Sequence, residues 1–188
     1  MLILLNKPYG VICQFSPSGG KPTLANYVRS PNVYPAGRLD TDSEGLVALT
    51  DDGALQYRIA SPVDTKTRGA KMEKSYWVQV EGSPTTAMVA ALGAGVVLND
   101  GRTAPCGARQ IEPPESIWSR TPPIRERRAI PTAWLELTLS EGKNRQVRRM
   151  TAHVGLPTLR LIRHRIGPWA LDGLQPGAWR PADAQFNK

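Results

Sequence analysis

The sequence predicts an α+β fold, one domain over residues 1–188 or two lobes sharing one sheet. Three observations carry this. Strict apolar alternation marks strands at Lys74-Ser75-Tyr76-Trp77-Val78-Gln79-Val80 and Trp134-Leu135-Glu136-Leu137-Thr138-Leu139. Helix signals with their own starts and stops stand between and after them, Ser83-Pro84 ahead of residues 87–92 and Asn144 ahead of residues 145–154. A length of 188 residues without an internal repeat suits a single interior of useful size.

Taken in order, Met1-Leu2-Ile3-Leu4-Leu5 reads as the first strand, because it lacks a basic leader and is cut short by Asn6-Lys7-Pro8, which rules out a signal or membrane segment. Tyr9-Gly10 predicts a turn, Val11-Ile12-Cys13 a second short strand, residues 16–22 a loop, and residues 23–28 a short amphipathic helix ended by Pro31 and Pro35. The centre of the chain follows: PAGRLDTDSEGLVALTDDG, residues 35–53. Its polar opening carries Arg38, Asp40, Asp42 and Glu44 between Gly37 and Gly45, then turns abruptly into the apolar strand 46–49. The oxygens of Thr50-Asp51-Asp52 are placed to cap a helix starting near Ala54. A carboxylate on a glycine-bracketed loop that enters a core strand is held on one side and reachable on the other, which singles out Asp40.

Residues 61–74 are polar and basic and read as a surface loop. The strand beginning at Lys74 puts Tyr76, Val78 and Val80 on one face. Ser83 caps the next helix and Gly93 stops it; Asn99-Asp100-Gly101 is a turn between strands at 96–98 and 109–111. The proline-rich stretch 112–131, with Arg120, Arg125, Arg127 and Arg128, reads as a functional loop. After the strand at 134–139, Asn144 caps a helix that turns Val147, Met150 and Val154 inward and clusters Arg145, Arg148 and Arg149 at its start. A basic strand, 158–163, leads to His164-Arg165, and beyond Trp169 only a turn at Gln175-Pro176-Gly177 is legible.

A net charge of +8 with a pI near 9.9 points to a polyanionic partner, nucleic acid first. Cys13 and Cys106 offer neither a disulfide framework nor zinc spacing, and His153 and His164 share no ligand spacing, so a cytoplasmic protein without metal is expected. Simpler explanations compete at each residue. Asp40 alone suits a turn, Tyr76 a core strand, and the arginine cluster a solvated helix face. Asp40, Asp42, Glu44, Gly45 and Asp51 also fall at calcium-loop spacing, but the last acid is Asp, and Pro31 and Pro35 deny the preceding helix.

Five ordered motifs resolve this competition. Asn6-Lys7-Pro8-Tyr9-Gly10-Val11, Gly37-Arg38-Leu39-Asp40 with Ser43, Gly45 and Leu46, Lys74-Ser75-Tyr76, the block from Glu141-Gly142-Lys143-Asn144-Arg145-Gln146-Val147-Arg148-Arg149-Met150, and Gly155-Leu156-Pro157 with Leu161 and Arg163 resemble those of the RsuA-like bacterial ribosomal pseudouridine synthases. The residues around Ile124-Arg125-Glu126-Arg127 and the block 141–165 are similar to the large-subunit subgroup designated E. The Asn-Lys-Pro motif begins at residue 6, so no S4 RNA-binding domain is expected before it.

The resemblance implies a mixed, mainly antiparallel bent sheet flanked by helices, with a central basic cleft. It implies isomerisation of one uridine of 23S rRNA near the peptidyl-transferase region by a monomeric enzyme without cofactor, metal or membrane attachment. Asp40 would be the nucleophile or base, whether at C6, at C1′ or at a sugar proton. Tyr76 would stack on the target base and Arg148 would pair with Asp40. Arg38 would fill the space left by a flipped nucleotide, and Lys74, Lys143, Arg145, Arg149 and Arg163 would contact phosphates. A catalytically silent RNA-binding or ribosome-assembly module on the same scaffold is the alternative.

Overall fold

The computed structural model describes residues 1–61, 72–125, 127 and 129–184, and the chain separates into two compact units. The first comprises Met1–Met72 with Arg163–Lys188. Its centre is the antiparallel pair β1 (Leu2–Lys7) and β3 (Glu44–Thr50), in register from Leu2 opposite Thr50 to Lys7 opposite Gly45. Every residue of both strands is buried, which explains why they read as continuous runs rather than alternations. Strand β2 (Tyr34–Pro35) adds to β3, β11 (Trp179–Pro181) to the other side of β1, and β10 (Trp169–Ala170) to the end of β9 (Thr158–Ile166). Helix α1 (Gly53–Ala60) is capped as expected: the Asp52 carboxylate accepts from the backbone N–H of Ala54 at 2.8 Å and of Leu55 at 3.1 Å.

Two local expectations fail here. Val11-Ile12-Cys13 forms no strand; Ile12 makes one isolated parallel bridge to Thr23, because the chain turns back at once with the Gln14 N–H bonded to Ile12 O at 2.8 Å. The helix at 23–28 shrinks to a single 3-10 turn, Leu24–Asn26, too short to recover the cost of nucleating an α-helix. Most of the basic stretch 61–74, residues 62–71, lies outside the described residues.

The second unit is Glu73–Ile162. Strand β8 (Thr132–Leu139) lies between β4 (Lys74–Glu81) and β7 (Gly107–Ile111), all antiparallel, with Tyr76 and Ala108 both opposite Leu137. The alternation holds: Val78, Val80, Leu135, Leu137 and Leu139 enter one core with Val147, Met150 and Leu156. Helix α2 (Thr86–Ala94) starts later than expected, because the Thr85 hydroxyl, not Ser83, accepts from Met88 N–H at 3.2 Å. It also runs past Gly93 to Gly95, whose φ of +82° ends it.

Asn99-Asp100 does turn the chain, but into the local hairpin β5 (Val97–Leu98) and β6 (Gly101–Arg102); the expected partner at 109–111 belongs to β7 and pairs with β8. Helix α3 (Gln146–His153) is not capped by Asn144. Arg145 occupies the cap position at φ +47° without a side-chain capping hydrogen bond, and the Gln146 side chain accepts from Lys143 N–H just ahead of the helix. The described part of 112–131 contains no helix or strand, in line with its prolines. It is pinned where Arg160 lies 5.5 Å from the Trp118 ring centroid and donates to the Trp118 carbonyl at 2.9 Å.

Candidate active site

In the first unit, the loop carrying Asp40 is held at several points along its length. Leu39 is buried in the core cluster with Ile3, Leu5, Val47 and Leu49, anchoring the chain one residue before the acid. The Ser43 N–H donates to Asp40 O at 3.0 Å, closing the turn, and Gly10 N–H donates to Thr41 O at 2.8 Å. Gly45 is obligatory: its φ is +107°, and a Cβ would fall under 3.0 Å from the backbone oxygen and nitrogen of Arg163. Asp40 itself is half-buried and Arg38 exposed.

Arg163, expected at RNA phosphates, is 3% exposed. Its Nε–H donates to Leu46 O at 2.7 Å and its Nη1–H to Arg38 O at 3.4 Å. Glu44 opens β3 rather than a calcium loop, and Asp51 accepts from the N-terminal ammonium of Met1. Among the described residues, no group of three or more His, Cys, Asp or Glu side chains is placed to hold a metal ion.

In the second unit, Tyr76 is half-buried against the core cluster and Lys74 opens β4, also half-buried. Arg148 sits half-buried on α3, whose start is fixed by a polar clamp. Glu141 accepts from the Gln146 amide and from Ala104 N–H at 2.8 Å, while Gln146 takes Lys143 N–H at 2.9 Å. Thr151, fully buried, donates to Arg148 O at 3.3 Å and bonds the Thr158 hydroxyl at 2.7 Å. Arg149 forms a two-pronged pair with Asp100 at 2.7 and 3.1 Å, and Lys143 donates to Arg102 O at 3.2 Å, so both cations lie against the β5–β6 hairpin. The hydrogen bonds from Arg149 hold the Asp100 carboxyl below its usual range. Arg145 is exposed.

Residues 1–153 match the family model described as RNA pseudouridylate synthase. The chain belongs to that family. Ribosomal large subunit pseudouridine synthase E of Xanthomonas campestris pv. campestris is 56% identical over 187 residues, covering 98% of this chain and 97% of the relative. The protein of that name from Vibrio vulnificus is 51% identical over 179 residues, covering 95% and 74%. A crystal structure of pseudouridylate synthase shares the fold with a TM-score of 0.74 at 31% identity, over 97% of this chain and 70% of that one. The α+β pseudouridine synthase fold expected from the motifs is therefore the fold of this chain.

Two features of this synthase escaped the sequence. Lys7 has no exposed surface; its Nζ donates to Val11 O at 2.8 Å and Pro8 O at 3.1 Å. Burial first, with a smaller push from Arg163, lowers its pKa to about 8 against the opposing pull of Cys13, Glu44 and Asp42. The signal was a lysine closing a strand whose first four residues are apolar. Glu141 and Gln146 lay within a quoted motif, but nothing in their spacing said that they lock the start of α3. Among the described residues no helix is long and apolar enough to cross a membrane.

Proposed function

We propose that this synthase converts one uridine of 23S rRNA to pseudouridine, working as a monomer in the cytoplasm on the peptidyl-transferase region. The named large-subunit relatives at 56% and 51% identity support the choice of substrate. The single structural observation behind the catalytic assignment is that Asp40 stands half-buried on a loop fixed by backbone hydrogen bonds on both flanks. The reaction breaks the N1–C1′ bond, turns the freed uracil and joins C5 to C1′, moving one proton from C5 and restoring one at N1. It is redox-neutral, so no cofactor is needed.

Asp40 serves as nucleophile or base and must be ionised to do so. The resemblance assigns Arg148 the role of counter-ion to that carboxylate, and a guanidinium keeps its charge at every working pH. Tyr76 offers an aromatic face to the target base, and Arg38, exposed beside Asp40, fills the space left by the flipped nucleotide. Arg145, Lys74, Lys143 and Arg149 line a basic cleft and hold phosphates, the last two after leaving the hairpin.

Asp40→Asn tests the assignment with pseudouridine mapping of 23S rRNA in cells lacking the wild-type gene. Loss of one modified site, restored by wild type and not by the variant, is the expected result. A variant that restores the site removes Asp40 from the chemistry, and a full set of sites without the protein removes 23S rRNA as its substrate.

A further inference from the structure

Strand β9 brings Arg163 to the Asp40 loop from far along the sequence, 125 positions from Arg38 and 117 from Leu46. The two carbonyls that it holds bracket Asp40, one before the acid and one after the turn that follows it. Its own backbone lies against Gly45, so the end of the loop has no freedom to shift sideways. The third guanidinium nitrogen, Nη2, is buried with no hydrogen-bond partner among the described residues. Nearby, Lys7 is a second fully buried cation, and the two are close enough that Arg163 weakens the hold of Lys7 on its proton.

Stability does not account for such a residue. Burying a guanidinium is costly, an unmatched N–H adds to the cost, and an apolar side chain of similar size is commonly as stabilising at such a position. What a guanidinium offers, and an apolar chain or a lysine does not, is a rigid planar fork that fixes two acceptors relative to each other. Here those acceptors are the flanks of the loop. We propose that Arg163 is a positioning residue for pseudouridine formation: by gripping the carbonyls of Arg38 and Leu46 it sets the backbone path that aims the Asp40 carboxylate, and it contacts no phosphate. This rests on Asp40 being the reacting carboxylate.

Two variants test it. Arg163→Met fills the volume without the fork; Arg163→Lys keeps the charge but brings one nitrogen. Three quantities are measured: single-turnover rate at saturating enzyme, RNA Kd at two salt concentrations, and amide hydrogen exchange. Both variants are expected to lose about 100-fold in rate, the cost of roughly an ångström of misplacement. Kd should stay within about twofold and its salt slope should be unchanged. Exchange should quicken at Ser43 and Gly10 while the β1–β3 ladder stays protected.

A weakened Kd with a shallower salt slope and an intact saturated rate would make Arg163 a phosphate ligand and overturn the proposal. So would a full rate in Arg163→Lys, which would reduce the role to charge, or a normal rate per folded molecule in variants that merely melt earlier. If the wild type proves inactive on 23S rRNA, the substrate reading fails by itself, while unchanged exchange at Ser43 and Gly10 in either variant still sinks the clamp.

Discussion

Replacing Gly45 by alanine tests the packing under the Asp40 loop, and the structure allows its cost to be divided. Gly45 has φ +107°, a conformation that costs an L-residue about 1–3 kcal/mol. The added Cβ would also press on the backbone of Arg163 at under 3.0 Å, and backbone has no rotamer by which to retreat. Overpacking of that kind adds roughly 1–3 kcal/mol, for a total near 4 kcal/mol against a native stability of about 5–15 kcal/mol. Gly10 supplies the control, since its φ is +81° but nothing among the described residues lies within 4 Å of its missing Cβ. Gly10→Ala should show the conformational part alone, about 1–2 kcal/mol. Urea unfolding of the two variants and the wild type measures both losses. Equal losses in Gly45→Ala and Gly10→Ala would show that the contact with β9 carries no weight, and the account of how the loop is braced would be wrong.

Lys7→Met probes the buried cation through pH. The Lys7 pKa falls from 10.5 to about 8 in the fold, so between those values the unfolded chain binds the proton and the native protein does not. Wild-type stability from this group therefore rises by roughly 3 kcal/mol across that window, a rise that Lys7→Met lacks; parallel urea midpoints at pH 7.5 and pH 10 would contradict it. Asp52→Ala removes both hydrogen bonds at the start of α1 and should cost about 1 kcal/mol in thermal unfolding, with an unchanged melting curve counting against the cap. Asp100→Asn removes the charge paired with Arg149 and should tighten RNA binding about threefold at low salt, with the gain fading at high salt; weaker binding at low salt would mean that the hairpin helps to present Arg149.

The sequence was most readable where one physical pattern dominated. The uninterrupted apolar runs gave β1 and β3, the period-two alternations gave β4 and β8, and Asp52 announced α1 through its cap. Asp40 stood out because its loop joined polarity, glycine and a core strand within a few residues. Reading failed where local signals competed or were too short to count. Thr85 outcompeted Ser83, and Asn144 does not cap α3, where the Gln146 side chain instead holds Lys143 N–H ahead of the helix. Strands β10 and β11, of two and three residues, are too short to show a period. The least legible residues were Lys7 and Arg163. A charged side chain in sequence reads as surface, and only tertiary structure reveals that these two face carbonyls inside the protein.

Because Arg163 reaches back 125 positions to Arg38, the loop holding Asp40 is spelled out early in synthesis and finished late. A nascent chain that has emerged only as far as α3 contains every letter of that loop but not its brace. If translation stalls there, the fragment released carries the acid on an unset backbone, so competence for chemistry arrives with the last quarter of the polypeptide.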